Sequence, residues 1–495
     1  MSLSWLAWRF YKFYLLPRRH PEEPLAVPYS IPILGNAVPF LNNSYSFLVR
    51  ARETVGRNGD PFSFTVLGTT FYVITQAKHA SEVDKNTDTL SFEEFVQVFL
   101  RATGVSEAGI KACYGNKQPG MVVGIPNPLE GNIGDVTRRM HVNQLHPGQR
   151  QHELEARFLR SFDRQLRLPV IPGEASGADG VEVALFRWCA DFFARAGEFA
   201  YFGDTLTRLD PEFADKFYIF DELSWQITYQ IPDFIAREKA AAQKHLQRSL
   251  KKYFQTPQHD RDEHAWFTST AEDAVREIGV SEDDIALLFL TIYLTISTNT
   301  RRTTFWVLTR LLYNPPLLEA VRQETAGAFE GDDLVNPAYL YSHDTCPQLE
   351  AVWLETLRVS SSGSSVRCIK KDTVIGGKLL RKGNNILIPS RLLHLDEGVY
   401  SQDALQFRPE RFLEKSARAR GGNWRPFGGG KTICTGRFVA EHMIKSCVSI
   451  VLRRFDMSVV GGARIPLGDE CTPGLGIMGI RKGEDFKVRL SARKT

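Results

Sequence analysis

Residues 427–440 read Phe-Gly-Gly-Gly-Lys-Thr-Ile-Cys-Thr-Gly-Arg-Phe-Val-Ala, a glycine-rich loop that runs into an apolar-periodic helix reaching about Leu452. Three glycines let the backbone approach a flat ligand closely and leave amide groups that can point at a sulfur. A thiolate at the head of a helix is favoured by the helix dipole and its unpaired N–H groups. On composition alone, a buried thiol in an ordinary loop is the commoner reading of such a cysteine. It is not a phosphate loop. Gly430-Lys431-Thr432 matches the end of one, but the first glycine that motif needs falls at Arg425.

The rest of the chain must house that loop in a large body. Of 495 residues 43% are hydrophobic, with 32 Phe and 8 Trp, enough for a large apolar interior, and 24% charged residues give a soluble surface. A formal charge of +4 with no long Lys/Arg tract argues against a nucleic-acid partner. Seven cysteines, at 113, 189, 346, 368, 434, 447 and 471, form no CxxC pair. A disulfide framework and a zinc ribbon are therefore disfavoured, and a reducing compartment is the simpler reading.

Three segments are expected. The first, residues 1–20, carries LSWLAWRFYKFYLL at 3–16, fourteen residues interrupted by Arg9 and Lys12. That is too short for a bilayer span, but its Trp, Tyr and basic residues suit a helix lying at a membrane interface. Residues 21–40 hold Pro21, Pro24, Pro28, Pro32 and Pro39, a spacing that predicts a stiff extended hinge without helix. The body follows from 41 to 495. Phe62–Thr75 reads as a β-hairpin, 77–325 as mostly helical with an exposed loop at Pro169–Gly180, and the last third as short strands with one more helix. The longest apolar helix is expected from Ile285 to about Tyr313, ending before Pro315-Pro316.

The positions of Phe427, Gly430, Cys434 and Gly436 match four of the five fixed positions of the cysteine-loop signature of the cytochrome P450 family, and the chain closely resembles that family here. Two further motifs stand in the family's order: Glu355-Thr-Leu-Arg358, then Phe407-Arg-Pro-Glu-Arg411-Phe412. The resemblance implies a mainly α fold with a small β-rich subdomain, haem b with Cys434 as axial ligand to iron, and a Glu355–Arg358–Arg411 network bracing the loop. Phe427 would shield the sulfur. Arg367, Lys431 and Arg139 are the candidate contacts to the haem propionates. Where most members carry an arginine this chain has Thr432, and the Trp usual near Arg139 is missing. His394 is expected to be structural rather than a ligand.

The central helix departs from the family. It reads Leu294-Thr-Ile-Ser-Thr298-Asn299-Thr300-Arg-Arg-Thr-Thr-Phe305-Trp306, without the carboxylate that usually precedes a proton-relaying threonine. NTxxxTFW resembles the branch containing the bile-acid sterol hydroxylases and prostacyclin synthase. Thr298, Asn299 and Thr300 are the candidates for managing protons. The resemblance implies a monooxygenase hydroxylating or desaturating a lipophilic small molecule, such as a sterol, terpenoid or polyketide, in fungal-type secondary metabolism. It would use dioxygen and an NADPH-cytochrome P450 reductase, at the cytosolic face of the endoplasmic reticulum membrane or otherwise in the cytoplasm. A redox-neutral isomerase, dehydratase or peroxide-rearranging enzyme is the alternative. Lys415, Arg418, Arg420, Arg425, Lys431 and Arg437 would form a basic patch for the reductase.

Overall fold

The computed structural model describes all residues except 1–2, 57–58, 176–179, 414–421, 473, 475 and 494–495. The chain divides into two compact units built from interleaved segments: residues 1–96, 357–434 and 468–478 in one, and 97–356, 435–467 and 479–495 in the other.

The first unit is organised by a six-stranded mixed sheet whose order is Leu25–Ala26, Phe62–Val66, Thr69–Val73, Asn385–Pro389, Ser364–Ile369 and Leu90–Ser91. The expected hairpin is present, with Phe62 opposite Val73 and Val66 opposite Thr69. Its two-residue turn places Leu67 at φ 48° and Gly68 at 85°, the paired left-handed conformation that matches strand twist. Tyr72, Ile74, Ala80, Val83, Leu90, Ile369, Ile375, Ile386 and Ile388 form one buried cluster that joins the sheet to helix Ala77–Lys85. Burying each such aliphatic side chain is worth about 1.5–3 kcal/mol, and this fixes where that helix lies.

The N-terminal segment is helical from Leu3 to Arg19, with a π-type turn at Tyr11–Leu15. Trp5 Nε1 donates to the Ser30 carbonyl at 2.7 Å, Arg9 donates to that of Tyr29 at 2.7 Å, and Trp8 and Phe13 pack on the Tyr29 ring. Among the described residues no helix is long and apolar enough to cross a membrane. The expected helix-free hinge needs correcting. Residues 37–42 form a helix that includes Pro39. The proline sits in the first turn, where the missing amide had no partner within the helix to lose.

The second unit is mainly helical. Its longest helix, Glu282–Leu312, starts at Ser281, whose hydroxyl accepts the Asp284 amide, and stops before Pro315 as expected. Helices Leu185–Phe202 and Arg237–Gln255 pack along it. A four-stranded sheet runs Phe455–Val459, Lys487–Ala492, Gly180–Ala184, Glu174–Ala175. The loop expected at 169–180 is thus partly strand, because Gly180–Ala184 pairs antiparallel with Lys487–Ala492, about 300 residues away in sequence.

Candidate active site

The cysteine loop is held to the first unit by close approach. Gly428 and Gly430 have φ of 73° and 63°. A Cβ on Gly429 would lie 2.4 Å from a carboxylate oxygen of Asp84, and one on Gly430 would lie 2.8 Å from the Asp84 Cβ and 2.9 Å from its backbone oxygen. No larger residue could bring the loop this close to the end of helix Ala77–Lys85. The loop then turns back on itself, the Cys434 amide donating to the Phe427 carbonyl at 3.0 Å. Phe427 packs on Trp424, ring centroids 6.3 Å apart.

Cys434 is exposed, unlike the other cysteines. Cys113, Cys189, Cys346 and Cys447 are buried, and burial pushes the thiol of Cys346 up to about 11 and that of Cys113 to about 12. Buried in this way they stay protonated and inert. The buried-thiol reading of Cys434 therefore fails, and an accessible sulfur in a glycine cradle remains.

His394 secures the approach to the loop. It is fully buried, its Nε2 accepts the Arg425 amide at 2.8 Å, and its Nδ1 faces the Arg358 carbonyl at 3.1 Å. These partners require the neutral ring with its proton on Nδ1. Burial pushes its pKa down to about 3, so the neutral form persists at ordinary pH. This is the structural role expected of it.

Arg358 is fully buried and donates to the carbonyls of His394, Ala404 and Gln406 at 2.9, 2.6 and 3.0 Å. Arg411 donates to the carbonyls of Tyr400 and Asp403 and pairs with the Asp403 carboxylate at 2.6 Å. The hydrogen bonds of Arg411 and Arg408 hold Asp403 at about 2. Both motif arginines thus converge on the 400–406 turn. Glu355 is fully buried one turn before Arg358 on helix Pro347–Ser360.

Among the propionate candidates, Arg367 is nearly fully buried and donates to the hydroxyl of Thr432, with Asp84 3.7 Å away. The cation beside Thr432 is Arg367 and not Lys431, whose exposed ammonium reaches Thr87 at 3.5 Å. Arg139, in the second unit, donates to the Pro126 carbonyl and to Asn127 Oδ1 at 3.0 and 2.6 Å, which ties it to a neighbouring turn. Gly436 stands at the N-cap of helix Arg437–Arg454 with ordinary backbone angles. Of the expected basic patch, Lys415, Arg418 and Arg420 lie outside the described residues. Arg425 is paired with Asp84 at 2.5 Å and nearly buried, so it does not contribute to a surface patch.

The central helix separates its three candidates. Thr298 is buried, and its hydroxyl contacts Asp221 Oδ1 and the Leu294 carbonyl, both at 2.7 Å. Asn299 and Thr300 are half-buried on a stripe with Leu288, Thr291, Ile292 and Ile296, with Thr295 exposed at its centre. Thr291, Thr295 and Thr300 donate to carbonyls of their own helix, so each presents its oxygen as an acceptor. Asp221 and Glu222, on helix Phe213–Glu222, bind Arg301 and Arg302. Burial would push Glu222 up, but the two arginines outweigh it and hold the carboxyl at about 2. Sequence reasoning missed both acids, and also Asp84, since nothing local marks a carboxylate whose partner lies about 80 or 300 residues further on.

The residues fit a haem: an accessible sulfur donor, a glycine cradle that larger side chains would fill, and a buried arginine within the same unit. The comparisons agree. The model of the cytochrome P450 family matches residues 200–483. Cytochrome P450 monooxygenase poxD of Penicillium oxalicum is 24% identical, covering 91% of this chain and 90% of that protein. Cholesterol 7-alpha-monooxygenase of Cricetulus griseus is 25% identical over 96% and 94%. A bifunctional cytochrome P450/NADPH–P450 reductase of Gibberella moniliformis is 28% identical over 54% of this chain and 24% of its own length. The chain belongs to the cytochrome P450 family, oxidoreductases of monooxygenase type that carry haem iron on a cysteine thiolate.

Proposed function

We propose that this protein hydroxylates or desaturates a lipophilic small molecule of sterol, terpenoid or polyketide type, as a step of secondary-metabolite biosynthesis. The observation that carries the proposal is the exposed Cys434 in its glycine cradle. Bound there, the haem supplies activation of dioxygen. Cys434 would ligate the iron, Phe427 would cover the sulfur, and Gly430 and Gly436 would keep the backbone close. Arg358, one turn after Glu355 on its helix, and Arg411 would hold the 400–406 turn in place, and Arg367 would offer the buried guanidinium for a propionate. On the central helix the side-chain amide of Asn299 holds a water, and the oxygens of Thr295 and Thr300 accept from it. Thr298 supports that segment through Asp221 instead of handling protons itself. The alternation of Leu288, Ile292 and Ile296 with threonines on the same stripe suits an apolar substrate carrying few polar groups.

Electrons are supplied by an NADPH-dependent flavoprotein reductase, in keeping with the relative that carries a reductase in its own chain. The N-terminal helix lies at a membrane interface of the endoplasmic reticulum, on the cytosolic side. In support, Leu3, Leu6, Phe10 and Tyr14 recur at helical spacing and are 85%, 50%, 53% and 48% exposed.

The test is product mass after incubation with reductase and a lipophilic library, with NADPH and isotopically labelled dioxygen each present or omitted. An NADPH-dependent product, either labelled or two hydrogens lighter, is expected. A product formed without NADPH and dioxygen would transfer the protein to redox-neutral chemistry and make the missing carboxylate before Asn299 its central feature.

A further inference from the structure

Asp84 closes helix Ala77–Lys85 beneath the cysteine loop, and the sequence motifs give it no role. Its side chain is 9% exposed. One carboxylate oxygen accepts from Arg425 at 2.5 Å; the other makes no hydrogen bond among the described residues and lies 3.7 Å from Arg367. Those two arginines are nearly buried themselves, at 10% and 7% side-chain exposure. Arg425 precedes the glycines, and Arg367 grips Thr432, two residues before Cys434. Gly429 and Gly430 touch Asp84 where any Cβ would overlap it. A single carboxylate therefore meets the loop's backbone and both of its buried cations.

We propose that Asp84 is a positioning residue for the thiolate loop: it fixes Arg425 and Arg367 against the loop and offsets their charge, thereby setting the reduction potential of the iron that Cys434 binds. Positive charge beside the loop favours the less positive ferrous state, and the Asp84 carboxylate between the two guanidiniums restrains that bias. The inference rests on Cys434 being the iron ligand.

The full-length haem-loaded protein and its Asp84→Asn, Asp84→Glu and Arg425→Gln variants are compared by the ferrous–carbon monoxide spectrum and by ferric/ferrous midpoint potential. Asp84→Asn is expected to raise the potential and Arg425→Gln to lower it, with Asp84→Glu near the parent. A structural role alone would not give opposite signs. Loss of the thiolate spectrum in Asp84→Asn that Asp84→Glu restores also supports the proposal. Loss in both variants, shifts of one sign in Asp84→Asn and Arg425→Gln, or an unchanged Asp84→Asn would overturn it. Hydrogen exchange at the 428–432 amides, read on haem-free protein, gives a second measure. Faster exchange in Asp84→Asn than in Asp84→Glu is expected, and equal rates count against the proposal. A parent that binds no haem sinks the functional reading, whereas the exchange measurement still judges the placement of Asp84.

Discussion

The buried charges illustrate how one residue's environment decides its role. His394 is neutral because burial lowers its pKa to about 3, well below the ordinary histidine value of about 6.5. Between those values the unfolded chain binds a proton that the folded chain does not, so stability rises with pH there. The favourable difference is complete above about pH 6.5 and is lost as pH falls toward 3, by about 1.4 kcal/mol per pH unit. His394→Gln, read by denaturant unfolding between pH 4 and 7, is expected to show a shallower slope than the parent; an identical slope would refute the assignment. At Asp221, replacement by Ala would leave Arg301 facing Glu222 and Thr298 with only the Leu294 carbonyl to donate to. Removing one partner of such a buried pair costs about 3–5 kcal/mol, so a lowered denaturation midpoint is expected. The tight glycine turn that carries Cys434 was legible in sequence because the spacing of Phe427, Gly430 and Cys434 is local. The fate of Thr298 was not, because its acceptor Asp221 lies 77 residues earlier and nothing near either residue marks the pairing.

At the scale of elements, local chemistry was a good guide wherever an element is closed by its own sequence. The hairpin at 62–73 follows from its alternating aromatic and β-branched residues and one glycine, and the central helix from a Ser cap and a Pro-Pro stop. The strand at 180–184, at the end of the expected loop and within the expected helical block, escapes sequence reading because its partner is the C-terminal strand, whose register no local pattern announces. The stripe on the central helix makes a prediction of its own. Asn299→Ala removes the amide proposed to hold water while keeping the helix, since Asn299 is half-buried and its carbonyl still accepts from Thr303. Turnover is expected to fall by about 10²–10⁴-fold, the usual worth of a proton-handling group, with substrate affinity little changed. A variant with parental turnover would remove Asn299 from the mechanism.

For the whole molecule, composition pointed to a large globular enzyme, but it could not reveal two interleaved units. The unit carrying the cysteine loop is assembled from three stretches of chain, because residues 357–434 return to pair with strands formed near the N-terminus. Parallel pairing of Asn385–Pro389 with Thr69–Val73 spans more than 300 residues, and no periodicity encodes it. The account stands on Cys434 as the iron ligand, and one measurement bears on that most directly: the carbon monoxide difference spectrum of the reduced full-length protein, beside that of Cys434→Ser. The account predicts the red-shifted Soret band of a thiolate-bound iron in the parent and its loss in the variant. The same band surviving in Cys434→Ser, or absent from a parent that binds haem, would contradict it.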